Sequence, residues 1–526
     1  MIKVSFSRSC VFYATAAVCT VCSSSIAIDL TPNVVSLGAS PYHSGTHVIT
    51  SLTAFDGRLH YFTSNDSTQK TRAAFYNLSS NMFQSESIDL DAEYVRDSRV
   101  IQGNLLVSSE DEAADNNSSS GYLRTTTGWI RANVPNSNAH QQGQVIYNGR
   151  WFAGAAWRGS RTPGMADGPA MVYSDNATSW NSIGTTYLGS TYDVGDNYFG
   201  FHFFTYKGSL FVRGHDYDAS GGNPERILMR VVNPSSSSPS LERVYATYRD
   251  MFGSDFDPAG NYTIGRSRVI RNNILFEGHV RGYVYLLKPQ TFTGASGQTV
   301  IRPGYSQNVG IPDGTSYGTI KGNAIAARHG YAYQAIVINN GAGVLLRRSG
   351  DDGQTWVELG TVNASALGGT LSSVEIEIDD NGNLYLATRL NLYKIPTSVF
   401  GIYNPPNTVP TAVDDTFSVE IGSTLSITRS SLGLLGNDYD ENEDGLFVTL
   451  LTNPTKGILS LARDGTFTYT PFSGATAGVD QFQYLLSDGR DTTTGTAHIT
   501  VIPEPTSIML LGLAALGLRR RRPIRF

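Results

Sequence analysis

Short apolar runs bounded by turn residues recur along most of the chain, and long amphipathic helical periods are hard to find. The runs RLHYF, NLLV, RWFAG, SLFV, ILFE, YAYQ and NLYLA each follow a turn containing Gly or Asn. Apolar or alternating runs of this length, bounded by Gly, Asn and Asp, are typical of β-strands. The pattern therefore predicts an all-β protein.

The runs are also copies of one repeat. The second turn residue falls at positions 57, 103, 149, 208, 273, 330 and 382, so successive copies lie 46 to 65 residues apart. This spacing suits the four-stranded blades of a β-propeller. We therefore predict a roughly seven-bladed β-propeller over residues 28–402, with its last blade completed by strands from both ends of the segment.

The sixth copy contains a second motif. The predicted strand Tyr331–Ile338 is followed by a turn at Asn339–Gly341, a strand Val344–Arg348 and the sequence SGDDGQTW. That sequence resembles the Asp-box, or BNR repeat, of sialidase-like propellers, with its pattern at Ser349, Asp351, Gly353, Thr355 and Trp356. The resemblance implies a structural turn in which Ser and Asp bond backbone amides and Trp covers the blade edge. Degenerate copies stand at Ser174–Trp180 and Thr125–Trp129.

Sialidase chemistry is not expected. That family carries an Arg-Ile-Pro segment near the start of its domain. The nearest sequence here is Ile301-Arg302-Pro303, which has a different order and lies in a late copy of the repeat. The Asp-box resemblance therefore bears on the fold and implies no catalysis.

Charged and aromatic side chains stand at the C-terminal ends of several repeated strands: Trp157, Arg158, Arg213, His215, His279, Arg281 and Arg389. Arginine forks match carboxylates and histidine titrates near neutral pH, so these residues could bind an acidic extracellular glycan. In an alternative interpretation the protein is a secreted polysaccharide lyase or glycoside hydrolase in which His215, His279 and Tyr217 are catalytic. A third interpretation makes them solvated rim residues paired with Asp216, Asp218 or Glu110.

A proline-bearing linker at Tyr403–Val409 marks a domain boundary. Beyond it, residues 410–502 contain GNDYD, DGTFTYTP and GVDQFQY followed by SDG, and they resemble the bacterial cadherin-like, immunoglobulin-fold repeat of surface adhesins. The resemblance implies a β-sandwich with an adhesion or spacer role. Alternation along Thr466–Thr470 and Gln481–Leu485 predicts that four aromatic residues are buried, namely Phe467, Tyr469, Phe482 and Tyr484.

Acidic residues of this second domain suggest a cation site. Calcium takes six to eight oxygen ligands, mostly carboxylates and carbonyls. The candidates are Asp414, Asp415, Asp438, Asp440, Asn442, Asp444 and Asp488. Glu443 stands where an EF-hand requires Gly, so an EF-hand is excluded. A solvated acidic turn that keeps the domain soluble remains an equal alternative to calcium.

The N-terminus has the features of a signal peptide. Lys3 and Arg8 precede the apolar stretch Val11–Val21, and Ser25-Ile26-Ala27 forms a small-x-small cleavage site. We therefore assign residues 1–27 to a signal peptide. All three cysteines lie inside it, so the exported chain is expected to have no disulfide and no thiol chemistry.

The C-terminus has the features of a sorting signal. Pro503, Glu504 and Pro505 precede eleven mainly apolar residues, Ile508–Leu518, and then Arg519, Arg520, Arg521 and Arg522. This order resembles the PEP-CTERM signal of Gram-negative bacteria, assigned here to 503–526. The resemblance implies transient membrane contact, cleavage by an exosortase-type enzyme, and delivery to the cell surface or exopolysaccharide matrix. The alternative is a small membrane anchor that is never processed, although about 20 residues are needed to span a bilayer.

Removal of both terminal segments makes the chain more acidic. The whole chain has 39 Lys and Arg against 45 Asp and Glu. The signal peptide and the tail after Pro505 hold seven of the bases and none of the acids, which leaves 32 bases, 45 acids and a net charge of −13. A surface this acidic argues against nucleic acid as a partner and suits an extracellular protein.

Overall fold

The apolar runs of the sequence form antiparallel β-strands in the computed structural model of the chain. The residues that it describes are 28–43, 47–64, 71–90, 94–101, 104–110, 119–125, 128–134, 143–147, 149–155, 170–183, 202–206, 209–216, 225–245, 264–270, 273–278, 283–294, 297–311, 317–328, 331–400, 407–427, 432–440 and 446–503. The five short 3-10 turns among them are Thr31–Asn33, Asn339–Gly341, Ala364–Leu367, Thr397–Val399 and Leu434–Gly436.

The first 400 residues contain seven four-stranded antiparallel sheets within the described part of the chain. Sheet 1 consists of β2 (Val48–Phe55), β3 (Arg58–Ser64), β4 (Thr71–Asn77) and β5 (Met82–Leu90). Sheet 2 consists of β6 (Tyr94–Ile101), β7 (Asn104–Glu110), β8 (Ser119–Thr125) and β9 (Gly128–Val134). Sheet 3 consists of β10 (Gln144–Tyr147), β11 (Arg150–Ala155), β12 (Ala170–Ser174) and β13 (Asn181–Ile183).

The next three sheets follow the same order. Sheet 4 consists of β14 (His202–Tyr206), β15 (Ser209–Asp216), β16 (Glu225–Val232) and β17 (Ser240–Tyr245). Sheet 5 consists of β18 (Ile264–Ile270), β19 (Asn273–Gly278), β20 (Val284–Thr293) and β21 (Thr299–Asn308). Sheet 6 consists of β22 (Gly322–Arg328), β23 (Tyr331–Ile338), β24 (Gly343–Ser349) and β25 (Val357–Asn363).

Sheet 7 takes strands from both ends of the segment, as the sequence analysis expects. It consists of β26 (Glu375–Ile378), β27 (Leu384–Thr388), β28 (Asn391–Ile395) and, at its outer edge, β1 (Val35–Ala39). Val35 pairs with Lys394, and Ala39 pairs with Asn391. The N-terminal strand therefore completes the last sheet.

The repeated run of the sequence is the second strand of each sheet. Six of the seven predicted turns lie between the first and second strands, as at Asp56-Gly57 in sheet 1. The fifth prediction was one residue too late, because Asn273 is already the first residue of β19. Gly57 adopts a φ of +70°, a left-handed conformation that favours glycine in this tight turn.

Neighbouring sheets are held together by apolar clusters in ring order. Phe62 and Leu105 join sheets 1 and 2, and Leu106 and Trp151 join sheets 2 and 3. The remaining pairs are Phe152 with Phe203, Phe211 with Phe276, Leu275 with Ala332, Tyr333 with Leu384, and Tyr61 with Tyr385. The last pair joins sheet 7 back to sheet 1, where β26 also contacts β2. The described sheets therefore follow one another around a ring.

Residues 407–503 form a β-sandwich. The strands of its four-stranded sheet, in spatial order, are β29 (Asp415–Glu420), β35 (Thr492–Ile502), β34 (Gly478–Ser487) and β31 (Phe447–Thr452). The three-stranded sheet has the order β30 (Leu425–Ile427), β33 (Phe467–Pro471) and β32 (Gly457–Leu461). Phe467, Tyr469, Phe482 and Tyr484 are all buried between the two sheets, which confirms the prediction from alternation.

Candidate functional site

Charged residues from the first strands meet across the centre of the ring. They are Asp97 and Arg99 on β6, Arg266 and Arg268 on β18, and Glu375 on β26, and we call them the central cluster. Their side chains are only 12% to 18% exposed. Buried charges are stable in a protein only when they are paired or hydrogen-bonded, so the partners of each charge determine whether the cluster stabilises the fold.

Arg266 and Glu375 form the principal pair of the central cluster. The Arg266 guanidinium donates to both Glu375 carboxylate oxygens, with Nη2 2.9 Å from Oε1, and it also donates to the Thr50 carbonyl. One arginine thus connects sheets 5, 7 and 1. Burial raises the pKa of Glu375, and the charge of Arg266 opposes that rise. The two charge-assisted hydrogen bonds offset part of the cost of burying both charges.

The other two arginines complete the cross-links. Asp97 lies 3.5 Å from Arg268 and 3.6 Å from Arg99. Arg99 also donates to the carbonyls of Phe203, at 2.6 Å, and Gln144, at 3.1 Å. The arginines therefore occupy the centre by binding the backbone and carboxylates of several sheets, which leaves each of these charges with a partner.

Sequence reasoning missed the central cluster. It directed attention to the ends of the second strands, whereas these charges lie on first strands. The available signal was the alternation of charged and other residues in RSRV at 266–269 and EIEI at 375–378, which places like charges on one face of a strand.

The predicted glycan-binding residues fall mostly outside what the structure describes. Trp157, Arg158, Tyr217, His279 and Arg281 lie outside the described residues. Arg213 and His215 lie on β15, the second strand of sheet 4, where their backbones pair with Leu228 and Arg226. Arg389 is exposed in the turn between β27 and β28, and its carbonyl accepts the Ile49 N–H at 2.7 Å. Their proximity to one another stays a prediction.

The SGDDGQTW turn is a dense hydrogen-bonded unit. Ser349 Oγ donates to Asp351 Oδ1 at 2.8 Å and accepts the Gly353 N–H at 2.9 Å. Asp351 also accepts the N–H and hydroxyl of Thr355, at 2.8 Å and 2.6 Å. The Trp356 indole donates to the Gly353 carbonyl at 3.0 Å. Each polar group stabilises the turn itself, so the motif has a structural role here.

The same turn also joins two sheets. Asn273 of sheet 5 donates to the Asp352 carbonyl at 2.8 Å. Gly353 has a φ of +82°, and a Cβ on it would lie 2.9 Å from Leu275. Glycine is therefore required both by the backbone conformation and by the close approach of sheet 5.

Two carboxylates of the sandwich share one hydroxyl. Tyr484 Oη donates toward Asp415 Oδ2 at 3.1 Å and Asp438 Oδ2 at 3.2 Å. Burial, with neighbouring carboxylates, raises the pKa of Asp415 to about 7 and that of Asp438 to about 6. Asp414 has a different hydrogen-bond partner, because its Oδ1 accepts the Thr496 N–H at 2.9 Å. These three acids lie at one end of the sandwich.

Among the remaining cation candidates, Asp488 has a role in a turn. Asp488 accepts the N–H groups of Arg490 and Asp491 at 2.6 Å and 2.7 Å, so its carboxylate closes the turn between β34 and β35. Asp440 is buried, whereas Asn442 and Asp444 lie outside the described residues. Across the described part of the chain, no group of three His, Cys, Asp or Glu residues is arranged to hold a metal ion.

Comparison with protein families decides the identity of the sandwich. Residues 407–504 match the family model of the bacterial cadherin-like domain. The sandwich is a bacterial cadherin-like domain. Residues 501–522 match the PEP-CTERM protein-sorting motif, so the end of β35 in the cadherin-like domain overlaps the start of the motif. PEP-CTERM motifs mark exported surface proteins, and both resemblances stated from the sequence are confirmed.

The solved structures that are similar to this chain match only part of it and are distant. They include Kuenenia stuttgartiensis hydrazine synthase, with 14% identity, 68% of this chain and 99% of that chain covered, and a TM-score of 0.38. The Malassezia sympodialis allergen Mala s 1 has 12% identity, coverage of 71% and 98%, and a TM-score of 0.32. A thermostable family-43 glycoside hydrolase has 12% identity, coverage of 48% and 86%, and a TM-score of 0.23. These TM-scores are too low for any property of those proteins to transfer to this chain.

Two further searches complete the comparison. A search of curated proteins finds no match. Within the described residues, no helix combines the length and the apolar character that crossing a membrane requires. The predicted apolar tail and its arginines, Glu504, Pro505 and Arg519–Arg522, lie outside the described residues, and Pro503 is the last residue described.

Proposed function

We propose that this chain is an exported protein whose ring of sheets is a closed seven-bladed propeller that binds an extracellular glycan. The propeller would occupy residues 28–402, and the cadherin-like domain would serve as an adhesion or spacer module after the linker 403–409. An exosortase-type enzyme would process the tail and deliver the protein to the cell surface or extracellular matrix.

The order of the parts carries the proposal. A ring of sheets, a cadherin-like domain and a sorting motif follow one another along the chain. The sorting motif stands at the end that meets the membrane, so the ring is the part farthest along the chain from it. A ring placed in this way is well suited to recognise material outside the cell.

The turns between second and third strands supply the proposed binding face. Arg389 is exposed there, and β15 brings Arg213 and His215 toward the corresponding end of sheet 4. A guanidinium binds a carboxylate through two parallel hydrogen bonds, so a row of arginines favours uronate sugars over neutral ones. Trp157, Arg158, His279 and Arg281 would join the same face.

The pairing within the central cluster favours binding over catalysis. Arg266 is paired with Glu375, and Arg268 lies beside Asp97. Glycoside hydrolysis uses two carboxyl groups that are free to protonate the leaving oxygen and to attack the sugar or activate water. The buried carboxylates of the central cluster are instead occupied by arginines, so they are poor candidates for these roles.

We further propose that Asp414, Asp415 and Asp438 bind calcium after their side chains move together, since the described residues hold no group arranged as a metal site. Carboxylates at one end of the sandwich provide the oxygen ligands that calcium prefers. Burial, more than the neighbouring carboxylates, raises the pKa of Asp415 and Asp438, and a bound cation would favour their ionised forms. Calcium should then raise the melting temperature of the exported chain, residues 28–502, and EDTA should lower it. Asp438→Asn should abolish the difference, and an equal melting curve in calcium and EDTA would remove the calcium proposal.

The glycan proposal is tested with the purified exported chain. Immobilised uronate-rich and neutral polysaccharides are incubated with it, and both retention and new unsaturated or reducing ends are measured. Retention on the acidic polysaccharide without new ends is expected, and it should weaken with salt. Arg213→Ala with Arg389→Ala should reduce retention. Lys288→Ala should not, because the Lys288 amine donates to Gln354 in the turn between the third and fourth strands of sheet 6, at the other end of the sheets. New unsaturated ends would favour the lyase alternative, and no retention would contradict glycan binding.

A further inference from the structure

The turn between β32 and β33 of the cadherin-like domain touches sheet 1 of the ring. Arg463 in this turn lies with its guanidinium carbon 4.3 Å from the ring centre of Phe447, in its own domain. The same guanidinium lies 5.7 Å from the ring centre of Phe55, at the end of β2. Its Nη1 is 3.8 Å from Oδ1 of Asp56, in the turn between β2 and β3. One arginine thus contacts both domains.

The aromatic contacts are the stronger part of this arrangement. The Asp56 side chain is 58% exposed, so water weakens its attraction to Arg463. The Arg463 side chain, by contrast, is only 22% exposed. A guanidinium held over aromatic faces and largely removed from water is attracted by the ring electrons more strongly than an exposed one.

The turn that carries Arg463 is itself well ordered. The Arg463 carbonyl accepts the Val448 N–H at 2.9 Å, which ties the turn to β31. Asp464 accepts the N–H and hydroxyl of Thr466, at 3.1 Å and 2.6 Å. Arg463 is therefore presented from a fixed turn, so little conformational entropy is lost when its side chain binds Phe55.

The connection between the domains is short. Asn407 donates to Asp488 at 2.7 Å and to Asp491 at 2.8 Å, and Thr411 pairs with Tyr439, so the chain from residue 407 onward is bound to the cadherin-like domain. Phe400 packs against the core shared by sheets 6 and 7. Only residues 401–406, which include Pro405 and Pro406, join these two fixed points. A short tether gives a high effective concentration, so a weak contact is enough to hold the domains together.

We propose that Arg463 docks the cadherin-like domain on sheet 1, so that the ring is held in one orientation on the domain that follows it. The docking surface consists of Phe55 and Asp56 on the ring, and of Arg463 and Phe447 on the cadherin-like domain. The cadherin-like domain then supports the ring rigidly. It fixes which face of the ring points away from the sorting end of the chain, whatever that face binds.

The test measures the distribution of distances between the two domains. All three cysteines precede residue 28, so the exported chain 28–502 accepts spin labels at introduced cysteines alone. Ser80→Cys labels an exposed turn of sheet 1, and Thr468→Cys labels the exposed face of β33. Double electron–electron resonance should give one narrow distribution for the otherwise unchanged chain.

Variants on both sides of the contact separate docking from a simple tether. Arg463→Gln and Phe55→Leu should each reduce the equilibrium constant for docking about fivefold and broaden the distribution. The double variant should broaden it no further than either alone. Lys456→Gln removes a cation at the opposite end of β32 and should leave the distribution narrow. Circular dichroism checks that each variant remains folded. A broad distribution in the unchanged chain, or a narrow one in Arg463→Gln, would overturn the proposal.

Discussion

Single residues of the central cluster hold together sheets that are not neighbours in the ring. Arg266 of sheet 5 reaches Glu375 of sheet 7 and the Thr50 carbonyl of sheet 1, and Arg99 of sheet 2 reaches the Phe203 carbonyl of sheet 4. Apolar clusters between neighbouring sheets cannot make such connections. The charged centre therefore adds cross-links between sheets that the apolar clusters do not join.

Removing one partner of the pair Arg266 and Glu375 should strongly destabilise the folded protein. In Arg266→Met, Glu375 would remain buried without its counter-charge, and we expect the free energy of unfolding to fall by about 3–5 kcal/mol. Urea denaturation measures the change. The double variant Arg266→Met with Glu375→Met should recover most of the loss, because two apolar side chains replace two charges. Arg72→Met breaks a half-exposed pair with Asp89 and should cost at most about 1 kcal/mol. A cost for Arg266→Met no larger than this control would contradict the role given to the pair.

His60 should make the ring sensitive to acid. It lies 5.4 Å from Phe75 and 6.1 Å from Phe55, and within the described residues neither ring nitrogen has a hydrogen-bond partner. Burial, with the nearby charges of Arg58 and Arg124, lowers its pKa from 6.5 to about 3. The folded state thus keeps the imidazole neutral while the unfolded state binds a proton below pH 6.5. The stability that comes from keeping His60 neutral is therefore fully present above pH 6.5 and is lost as the pH falls toward 3.

The slope of stability against pH tests this role of His60. Between pH 4.5 and 6, His60→Leu should reduce the slope by about 1.4 kcal/mol per pH unit, because one proton is no longer taken up on unfolding. The midpoint of urea denaturation at each pH gives the slope. Phe75→Leu is the matched control, since it removes packing without removing a titrating group. It should lower the free energy of unfolding by the same amount at each pH, so the slope against pH stays unchanged. An unaltered slope in His60→Leu would show that His60 is accessible to protons in the folded state.

At the scale of elements, the SGDDGQTW turn determines how closely sheets 5 and 6 approach. Gly353→Ala would meet both a φ of +82° and Leu275 at 2.9 Å, whereas Gly57→Ala would meet a φ of +70° with nothing within 4 Å. Backbone strain alone costs about 1–2 kcal/mol, and overpacking adds about 1–3 kcal/mol. Gly353→Ala should therefore be the more destabilising of the two in thermal unfolding. Equal effects would mean that the turn can move away from sheet 5.

Local patterns predicted most of the elements but not the centre of the ring. The Gly-containing turns indicated the second strands because their signal lies within a few adjacent residues, and alternation placed Tyr469 and Tyr484 in the core for the same reason. Arg266 and Glu375 each lie in an alternating run, but they are separated by 109 residues, so no local pattern indicates that the two side chains pair. The cation role of Asp488 stays a prediction, because a carboxylate that closes a turn and one that binds a cation have the same sequence context.

At the scale of the whole molecule, the N-terminal segment closes the ring soon after the predicted signal-peptide cleavage site. Leu30 donates to the Thr361 carbonyl at 2.8 Å, Thr361 donates to the Ile28 carbonyl at 2.9 Å, and β1 then pairs with β28. The first residues after Ala27 therefore bind sheets 6 and 7 together.

The C-terminal tail is predicted to be a sorting signal that is cleaved off. The cadherin-like domain ends with β35 at Ile502, and Pro503 is exposed immediately after it. Proline keeps the preceding residue extended, so a processing enzyme meets an accessible strand outside the folded domain. Eleven apolar residues hold a bilayer poorly, which favours release after cleavage.

Mass spectrometry of the extracellular protein should find a C-terminus between Pro503 and Ser507, without Arg519–Arg522. Replacing the four arginines with Gln should leave the precursor misoriented or uncut. Replacing Arg490 with Gln, inside the folded domain, is the control and should leave processing unchanged. An intact tail on released protein would instead support a small anchor that is never processed.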